Sequence, residues 1–219
     1  MPAVHMKFVD EENNQPIVGA HVLFRGSAYE GTLTGHGGER VNLFLVEAVT
    51  NDAGEIHLAP QDFWPYPFIL GTNYNNPSMT VFQEGYALVT LANYRRTFAE
   101  RQDVTTWQYN DQTIKMRLVR ASKDVWHSVY WANTFADETF RNEGRDICSW
   151  KQIPQFLLVA DRSATEWNRK RQAAEEEHLR RWQVESPLQS LLRNEKYYTG
   201  KGCGSPREFF EPYLRNANR

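Results

Sequence analysis

The chain has 219 residues, of which 25 are basic and 27 acidic, and its formal net charge is −2 at pH 7. This balance does not provide the basic surface with which proteins bind nucleic acid or anionic lipid. No run of 18 apolar residues occurs, so the sequence predicts no membrane-spanning helix. With 41% apolar and 24% charged residues, the composition is that of a globular protein that can bury a core.

The first half of the chain has the alternating and β-branched patterns of strands. Residues 51–54 (Asn-Asp-Ala-Gly) predict a tight turn. Residues 26–38, rich in Gly, Ser and Thr, predict a long exposed hairpin loop. Prolines exclude a central strand from residues 59–77. The predicted strands are residues 6–10, 17–24, 41–50, 55–58, 80–82, 87–91 and 113–119.

The second half of the chain changes to helical periodicity. Ser or Asp at the N-cap and Pro at the first helical position indicate where several of these helices begin. The helices are predicted over residues 124–140, from Pro154, from a capping box at Ser163 to about Trp182, from Pro187 and from Pro206. The predicted fold class is α+β: a seven-stranded β-sandwich at residues 6–120, with a helical extension at residues 121–219 packed on it.

The two cysteines, Cys148 and Cys203, leave two interpretations open. They are either reduced, buried thiols of a cytosolic protein, or one disulfide that closes the C-terminal region. The sequence Gly202-Cys203-Gly204 is a loop setting that favours cross-linking over core packing, so we expect the disulfide. Such a bridge stabilises a fold by about 4 kcal/mol in the loop-entropy model. It also indicates an oxidising compartment.

Three segments of the first half mark turns or packed corners: residues 16–20 (Pro-Ile-Val-Gly-Ala), residues 50–54 (Thr-Asn-Asp-Ala-Gly) and Gly85-Tyr86. Together they resemble the carboxypeptidase regulatory-like domain, a small β-sandwich of the transthyretin (prealbumin-like) type. The central turn departs from the family's Thr-Asp-x-x-Gly pattern by one permuted residue. The resemblance covers about half of the chain, and it implies a transthyretin-like fold and a non-catalytic companion module.

Residues 148–154 (Cys-Ser-Trp-Lys-Gln-Ile-Pro) are similar to a Cys-x-Trp-Lys-x-Ile-Pro segment of a group of bacterial envelope proteins. In that group, which has no assigned activity, a regulatory-like sandwich follows a secretion or lipoprotein signal. The similarity implies a periplasmic or envelope location and the Cys148–Cys203 bridge; a cytoplasmic location is the alternative. One of two interpretations of His5-Met6 is a cloning junction, and on that interpretation a native leader or lipid anchor precedes this sequence.

An aromatic, proline-rich segment is the best candidate for binding. Trp64, Tyr66 and Phe68, together with Tyr74, offer flat amphipathic surfaces on a stiffened backbone. Such surfaces suit contact with another protein, a peptide or a glycan. The alternative is that these rings cover the end of the sandwich or the helical extension.

A metal site is a weaker hypothesis than the aromatic binding segment. His36 and Glu39 have the His-x-x-Glu spacing of zinc peptidases, but they lie in a Gly-rich loop rather than on a rigid element. A site formed by His36, Glu39 and His57 therefore stays a minor hypothesis, and we expect no cofactor. The sequence has no nucleophile elbow and no phosphate-binding loop, so no catalytic residue is predicted.

These observations favour a non-enzymatic, extracytoplasmic protein for binding or scaffolding. Two other functions stay open. One is a metal-dependent enzyme that uses the His36/Glu39 loop and His57. The other is an inhibitor or immunity-type protein whose charged helix and aromatic loop contact another protein. No motif specifies an oligomeric state.

Overall fold

The computed structural model describes residues 1–29, 40–61, 73–74, 76–93, 107–140, 147–172 and 180–217. The protein is a mixed α+β protein that divides into two compact units, Met1–Val125 and Trp126–Arg219. The strands of the first unit are β1 (Val4–Asp10), β2 (His21–Tyr29), β3 (Arg40–Val49), β4 (Glu55–Leu58), β5 (Asn73–Tyr74), β6 (Ser78–Phe82), β7 (Val89–Ala92) and β8 (Gln112–Met116).

Seven of these strands form the main paths of two sheets, in the orders β4-β1-β8 and β3-β2-β6-β7, and the two-residue β5 pairs with β2. The pairing of β1 with β8 is parallel, whereas β1 pairs with β4 in the antiparallel direction. The number of main strands agrees with the predicted seven, and β5 is an additional short strand within a segment that was predicted to be irregular.

The two sheets bury a common core, which gives the first unit a sandwich-like arrangement. On β1 the alternate residues Val4, Met6 and Phe8 are buried, as the period of two in a strand requires. They share one apolar cluster with Phe24 of β2 and Met79 of β6.

The strand predicted over residues 17–24 begins only at His21. The preceding residues form a turn in which Gly19 has a φ of 77°. The Thr50 hydroxyl donates to the carbonyl of Ile17 (2.6 Å) and accepts the backbone N–H of Ala20 (2.8 Å). These backbone groups are therefore satisfied by a side chain instead of a strand ladder. At its other end β2 continues to Tyr29, into the predicted hairpin loop, whose remaining residues lie outside the described part of the chain.

The described helices are α1 (Ser122–Asp137), a 3-10 helix (Ser149–Gln152), α2 (Pro154–Gln172), α3 (Pro187–Arg193), α4 (Glu195–Gly200) and α5 (Pro206–Ala217). Ser186 caps α3 as predicted, because its Oγ accepts the backbone N–H of Gln189 at 3.2 Å. The capping box predicted at Ser163 is wrong. Ser163 is buried inside α2 and donates to the carbonyl of Ala160, so one continuous helix replaces the two predicted ones.

The core of the second unit centres on Trp150, whose side chain has no exposed surface. Its ring contacts those of Tyr198, Phe209 and Phe210, with centroid distances of 5.2–6.4 Å. The disulfide Cys148–Cys203 is present, with its Cα atoms 5.3 Å apart, and it confirms the predicted bridge. The Cys-x-Trp-Lys-x-Ile-Pro segment is thus a structural element of this unit. Within the described residues, no helix combines the length and apolarity needed to cross a membrane. The predicted packing of the helical part on the sandwich stays a prediction.

Candidate functional site

A cleft with a volume of about 210 Å³ lies in the second unit, between the last two turns of α1 and the segment that leads into α3. Most of the residues that line it are polar. They are Tyr130, Asn133, Thr134, Asp137, Val184, Glu185, Pro187 and Ser190.

One wall of the cleft is a polar stripe on α1. Tyr130, Asn133, Thr134 and Asp137 are spaced at i, i+3, i+4 and i+7, which places them on one face of a helix. The buried apolar residues of α1, such as Ala132, interleave with this stripe and anchor the helix in the core. The periodicity of α1 therefore presents its polar groups to the cleft.

The opposite wall is held by hydrogen bonds from α2. The side chain of Asn168 donates to the carbonyl of Val184 (2.8 Å) and accepts the backbone N–H of the same residue (3.1 Å). Ser186 donates from its hydroxyl to Asp161 (2.6 Å), and Trp167 donates to the carbonyl of Trp182 (2.6 Å). Because these bonds fix the backbone before α3, the wall is preorganised.

The most informative polar group in the cleft is the amide of Asn133, a residue that is only 3% exposed. Its nitrogen donates to the carbonyls of Val129 (2.8 Å) and Ala160 (3.2 Å). Its oxygen is buried and accepts no hydrogen bond from the described residues. A buried acceptor without a partner costs about 1–3 kcal/mol. This oxygen is therefore an unsatisfied acceptor on a residue that lines the cleft.

The remaining polar groups make the cleft rich in acceptors. Thr134 donates its hydroxyl hydrogen to the carbonyl of Tyr130 (2.9 Å), so its oxygen lone pairs are left to accept. Asp137 and Glu185 supply carboxylates, and Glu185 also pairs with Arg193 at 2.6 Å. A ligand that donates several hydrogen bonds would match this lining.

Aromatic rings lie beside the cleft on the surface of α1. Tyr130, which is 37% exposed, stacks on Trp126 with a centroid distance of 5.2 Å and an interplanar angle of 27°. Its other neighbour, Trp131, contacts it edge-on at 5.4 Å. Trp126 in turn packs against Trp182 at 4.9 Å. The ring of Tyr130 therefore contacts both neighbours, lines the cleft and is still partly exposed.

The residues that the sequence singled out as a possible site come from the first half of the chain, whereas the cleft is formed by the second half. His36, Glu39, Trp64, Tyr66 and Phe68 all lie outside the described residues, so the two hypotheses based on them stay predictions. The backbone of Tyr74 forms part of β5 and pairs with Ala28, whereas its side chain is outside the described part.

His57 lies on β4, and among the described residues His5 and Glu55 are close enough to form a group of potential metal ligands with it. Sequence reasoning missed both of these residues, and it also missed the cleft. The signal that could have revealed the cleft is the polar stripe of α1, because four polar or amphipathic residues at helical spacing face a common direction.

Comparisons with known proteins do not assign the chain to a family. No protein-family model matches it, and no curated protein matches it. Among solved structures it has a likeness to a 9R-lipoxygenase from Cyanothece PCC8801, with 10% sequence identity and a TM-score of 0.25. The match covers 62% of this chain and 23% of the lipoxygenase chain, so this chain spans less than a quarter of that protein. A likeness at this TM-score carries no argument about fold or function.

Proposed function

We propose that the protein is a non-enzymatic, extracytoplasmic binding protein whose C-terminal cleft holds one ring of a saccharide. The observation that carries this proposal is the unpartnered amide oxygen of Asn133 in an acceptor-rich cleft, next to the exposed ring of Tyr130.

A saccharide has the chemistry that this lining requires. Its hydroxyl groups donate hydrogen bonds to carboxylate, amide and hydroxyl oxygens, and its apolar ring face packs on an aromatic side chain. The cleft volume of about 210 Å³ is smaller than the roughly 300–1,000 Å³ of sites for drug-sized ligands. We therefore assign it one sugar ring, with any further rings outside the cleft near the aromatic residues of α1.

The extracytoplasmic part of the proposal is supported by the disulfide Cys148–Cys203, because disulfides persist mainly in oxidising compartments. We also propose that the first unit is a transthyretin-like module of the carboxypeptidase regulatory-like type. Its support is the resemblance of the turn motifs, and two sheets over a shared core are compatible with it. In this proposal the first unit is a companion to the binding unit.

Saturation-transfer NMR with the full chain tests the proposed ligand class. The probes are glucose, galactose, glucosamine and N-acetylglucosamine, each as the monosaccharide and as a short oligomer. We expect at least one of them to receive a transfer signal. Tyr130→Ala should then weaken binding about tenfold, because it removes the packing surface for the sugar ring.

A matched control is Tyr213→Ala on α5, because Tyr213 is also 37% exposed and does not line the cleft. This variant should bind the same probe with unchanged affinity. The proposal is overturned if no probe gives a signal, or if Tyr130→Ala and Tyr213→Ala affect binding equally.

A further inference from the structure

We propose that His5, Glu55 and His57 form a binding site for a divalent transition-metal ion, with Zn²⁺ as the ion that best suits these donors. The site belongs to the three-stranded sheet of the first unit, and it is independent of the saccharide proposal for the second unit.

The strand register brings the three side chains together. In the antiparallel pairing of β1 with β4, His5 lies directly opposite His57. Glu55 precedes His57 by two residues, so both project from the same face of β4. The intervening residue Ile56 and its partner Met6 are buried on the opposite face, in the core. A rigid, core-anchored pair of strands therefore sets the positions of all three donors.

The distances between the donor atoms approach those of a metal site. Glu55 Oε2 lies 3.9 Å from Nε2 of His5 and 3.7 Å from Nε2 of His57. One donor atom from each of the three residues lies within 4.8 Å of the other two. Bonds of about 2.0–2.1 Å in a tetrahedral zinc site place the ligand atoms about 3.4 Å apart. To reach this spacing with both lone pairs aimed at one ion, the imidazoles must rotate out of their stacked arrangement, and the exposed side chain of His57 has the room to do so.

Asp111 orients the imidazole of His5 for this role. Nδ1 of His5 lies 3.2 Å from Oδ1 of Asp111. The Asp111 backbone is itself fixed, since its N–H donates to the carbonyl of His5 at 2.7 Å. If Nδ1–H donates to this carboxylate, Nε2 keeps its lone pair and can bind a metal ion. The imidazole of His57 is stacked on that of His5, with ring centroids 4.4 Å apart and an interplanar angle of 9°. A carboxylate behind a histidine is the usual way in which proteins orient a metal-binding imidazole.

The Nε2 atom of His5 provides a second, independent observation. It has almost no accessible surface and no hydrogen-bond partner within the described part of the chain. A neutral imidazole nitrogen in that position is an unused acceptor surrounded by other donor atoms for a metal. A bound cation would satisfy it and would also balance the negative charges of Glu55 and Asp111.

The site leaves one coordination position toward solvent, because the side chain of His57 is 64% exposed. Two imidazoles and one carboxylate with an open fourth position are a donor set that binds zinc in proteins. Water or a ligand group would complete the coordination.

Isothermal titration of Zn²⁺ into the untagged, chelator-treated full chain tests the site. We expect about one ion per chain with a micromolar or lower dissociation constant. His57→Gln and Glu55→Gln should each weaken binding about 100-fold or more, because each removes a ligand. Asp111→Asn should weaken it about 10–100-fold, because it removes only the orienting carboxylate.

His127→Gln is the matched control, because His127 lies outside the cluster and its Nε2 accepts a hydrogen bond from Trp131 at 2.9 Å. The affinity of the His127→Gln variant for Zn²⁺ should equal that of the unmodified protein. Far-UV circular dichroism of each variant checks that the fold is retained.

Titration with Co²⁺ adds a readout of coordination geometry. Intense visible absorption bands of a tetrahedral ion should appear in the unmodified protein and be lost in Glu55→Gln. The proposal is overturned if folded His57→Gln binds Zn²⁺ as tightly as the unmodified chain, or if no binding is detected at millimolar Zn²⁺. Binding of one ion per two chains, with dimerisation in sedimentation, would also overturn it, because the three ligands would then not come from one chain.

Discussion

Tyr86 donates a hydrogen bond from its hydroxyl group to Oδ2 of Asp10, over a distance of 3.0 Å. Asp10 ends β1 and is 2% exposed. Its other oxygen accepts the backbone N–H groups of Glu12 (2.7 Å) and Asn13 (3.1 Å). One buried carboxylate therefore ties the turn after β1 to the Gly85-Tyr86 corner.

Tyr86→Phe should lower the free energy of unfolding by about 1–2 kcal/mol, because it leaves one oxygen of a buried carboxylate without its donor. Burial and the neighbouring Asp10 raise the pKa of Tyr86, so the hydroxyl is protonated and donates at neutral pH. Urea unfolding measures the change. Tyr109→Phe is the control, since within the described residues its hydroxyl makes an exposed 3.4 Å contact with the carbonyl of Ala92. An equal effect in both variants would contradict the role of the Asp10 bond.

Because of Asp10, the free energy of unfolding should depend on pH in the acid range. Burial raises the pKa of its carboxyl group, but the Glu12 and Asn13 N–H groups, the Tyr86 hydroxyl and the charge of Arg120 together outweigh burial and lower it. A lowered folded pKa gives stability that is present above the unfolded value of about 3.9 and is lost as the pH falls below it.

The difference in unfolding free energy between the unmodified protein and Asp10→Asn should therefore be largest at neutral pH and shrink below about pH 4. Urea unfolding across this range measures it, with Asp52→Asn in the exposed 51–54 turn as the control. A difference that stays constant into the acid range would refute the assignment.

Gly54→Ala should be more destabilising than Gly85→Ala. Both glycines have positive φ, 73° and 87°, and an L-residue in that region costs about 1–2 kcal/mol. At Gly54 an added Cβ would also lie 2.5 Å from the carbonyl oxygen of Phe8, whereas at Gly85 no atom of the described residues lies within 4 Å. We expect a total cost of about 3 kcal/mol or more at Gly54. Denaturant titrations of both variants compare them directly, and equal losses would show that the backbone clash is relieved.

Removing the disulfide should destabilise the second unit. The bridge joins cysteines 55 residues apart, and the loop-entropy model assigns such a cross-link about 4 kcal/mol. The double variant Cys148→Ser/Cys203→Ser should unfold at a correspondingly lower denaturant concentration. Addition of a reductant should not lower the unfolding midpoint of this variant further. Intact mass after thiol blocking gives a direct check of the bond. Blocking of both cysteines in unfolded, unreduced protein would show that the bridge is absent.

The sequence by itself determined the features that depend on neighbouring residues. The 51–54 turn forms as predicted, because Asn51 accepts the backbone N–H groups of Ala53 and Glu55 with its own side chain. The cap at Ser186 likewise needs only the next three residues. Ser163 shows the limit of such signals. It begins a capping-box pattern like that of Ser186, but it is buried in the middle of α2, where packing keeps the helix continuous.

Only the tertiary structure decided which distant side chains meet. His57 attracted attention in the sequence, but its neighbour His5 is set by the register between β1 and β4. The polar stripe of α1 is visible as a pattern, yet its opposite wall comes from residues before α3 that Asn168 holds in place. The physical reason is that turns and caps are stabilised by contacts within a few residues. Strand register and cleft walls instead depend on burying one core between segments far apart in the chain.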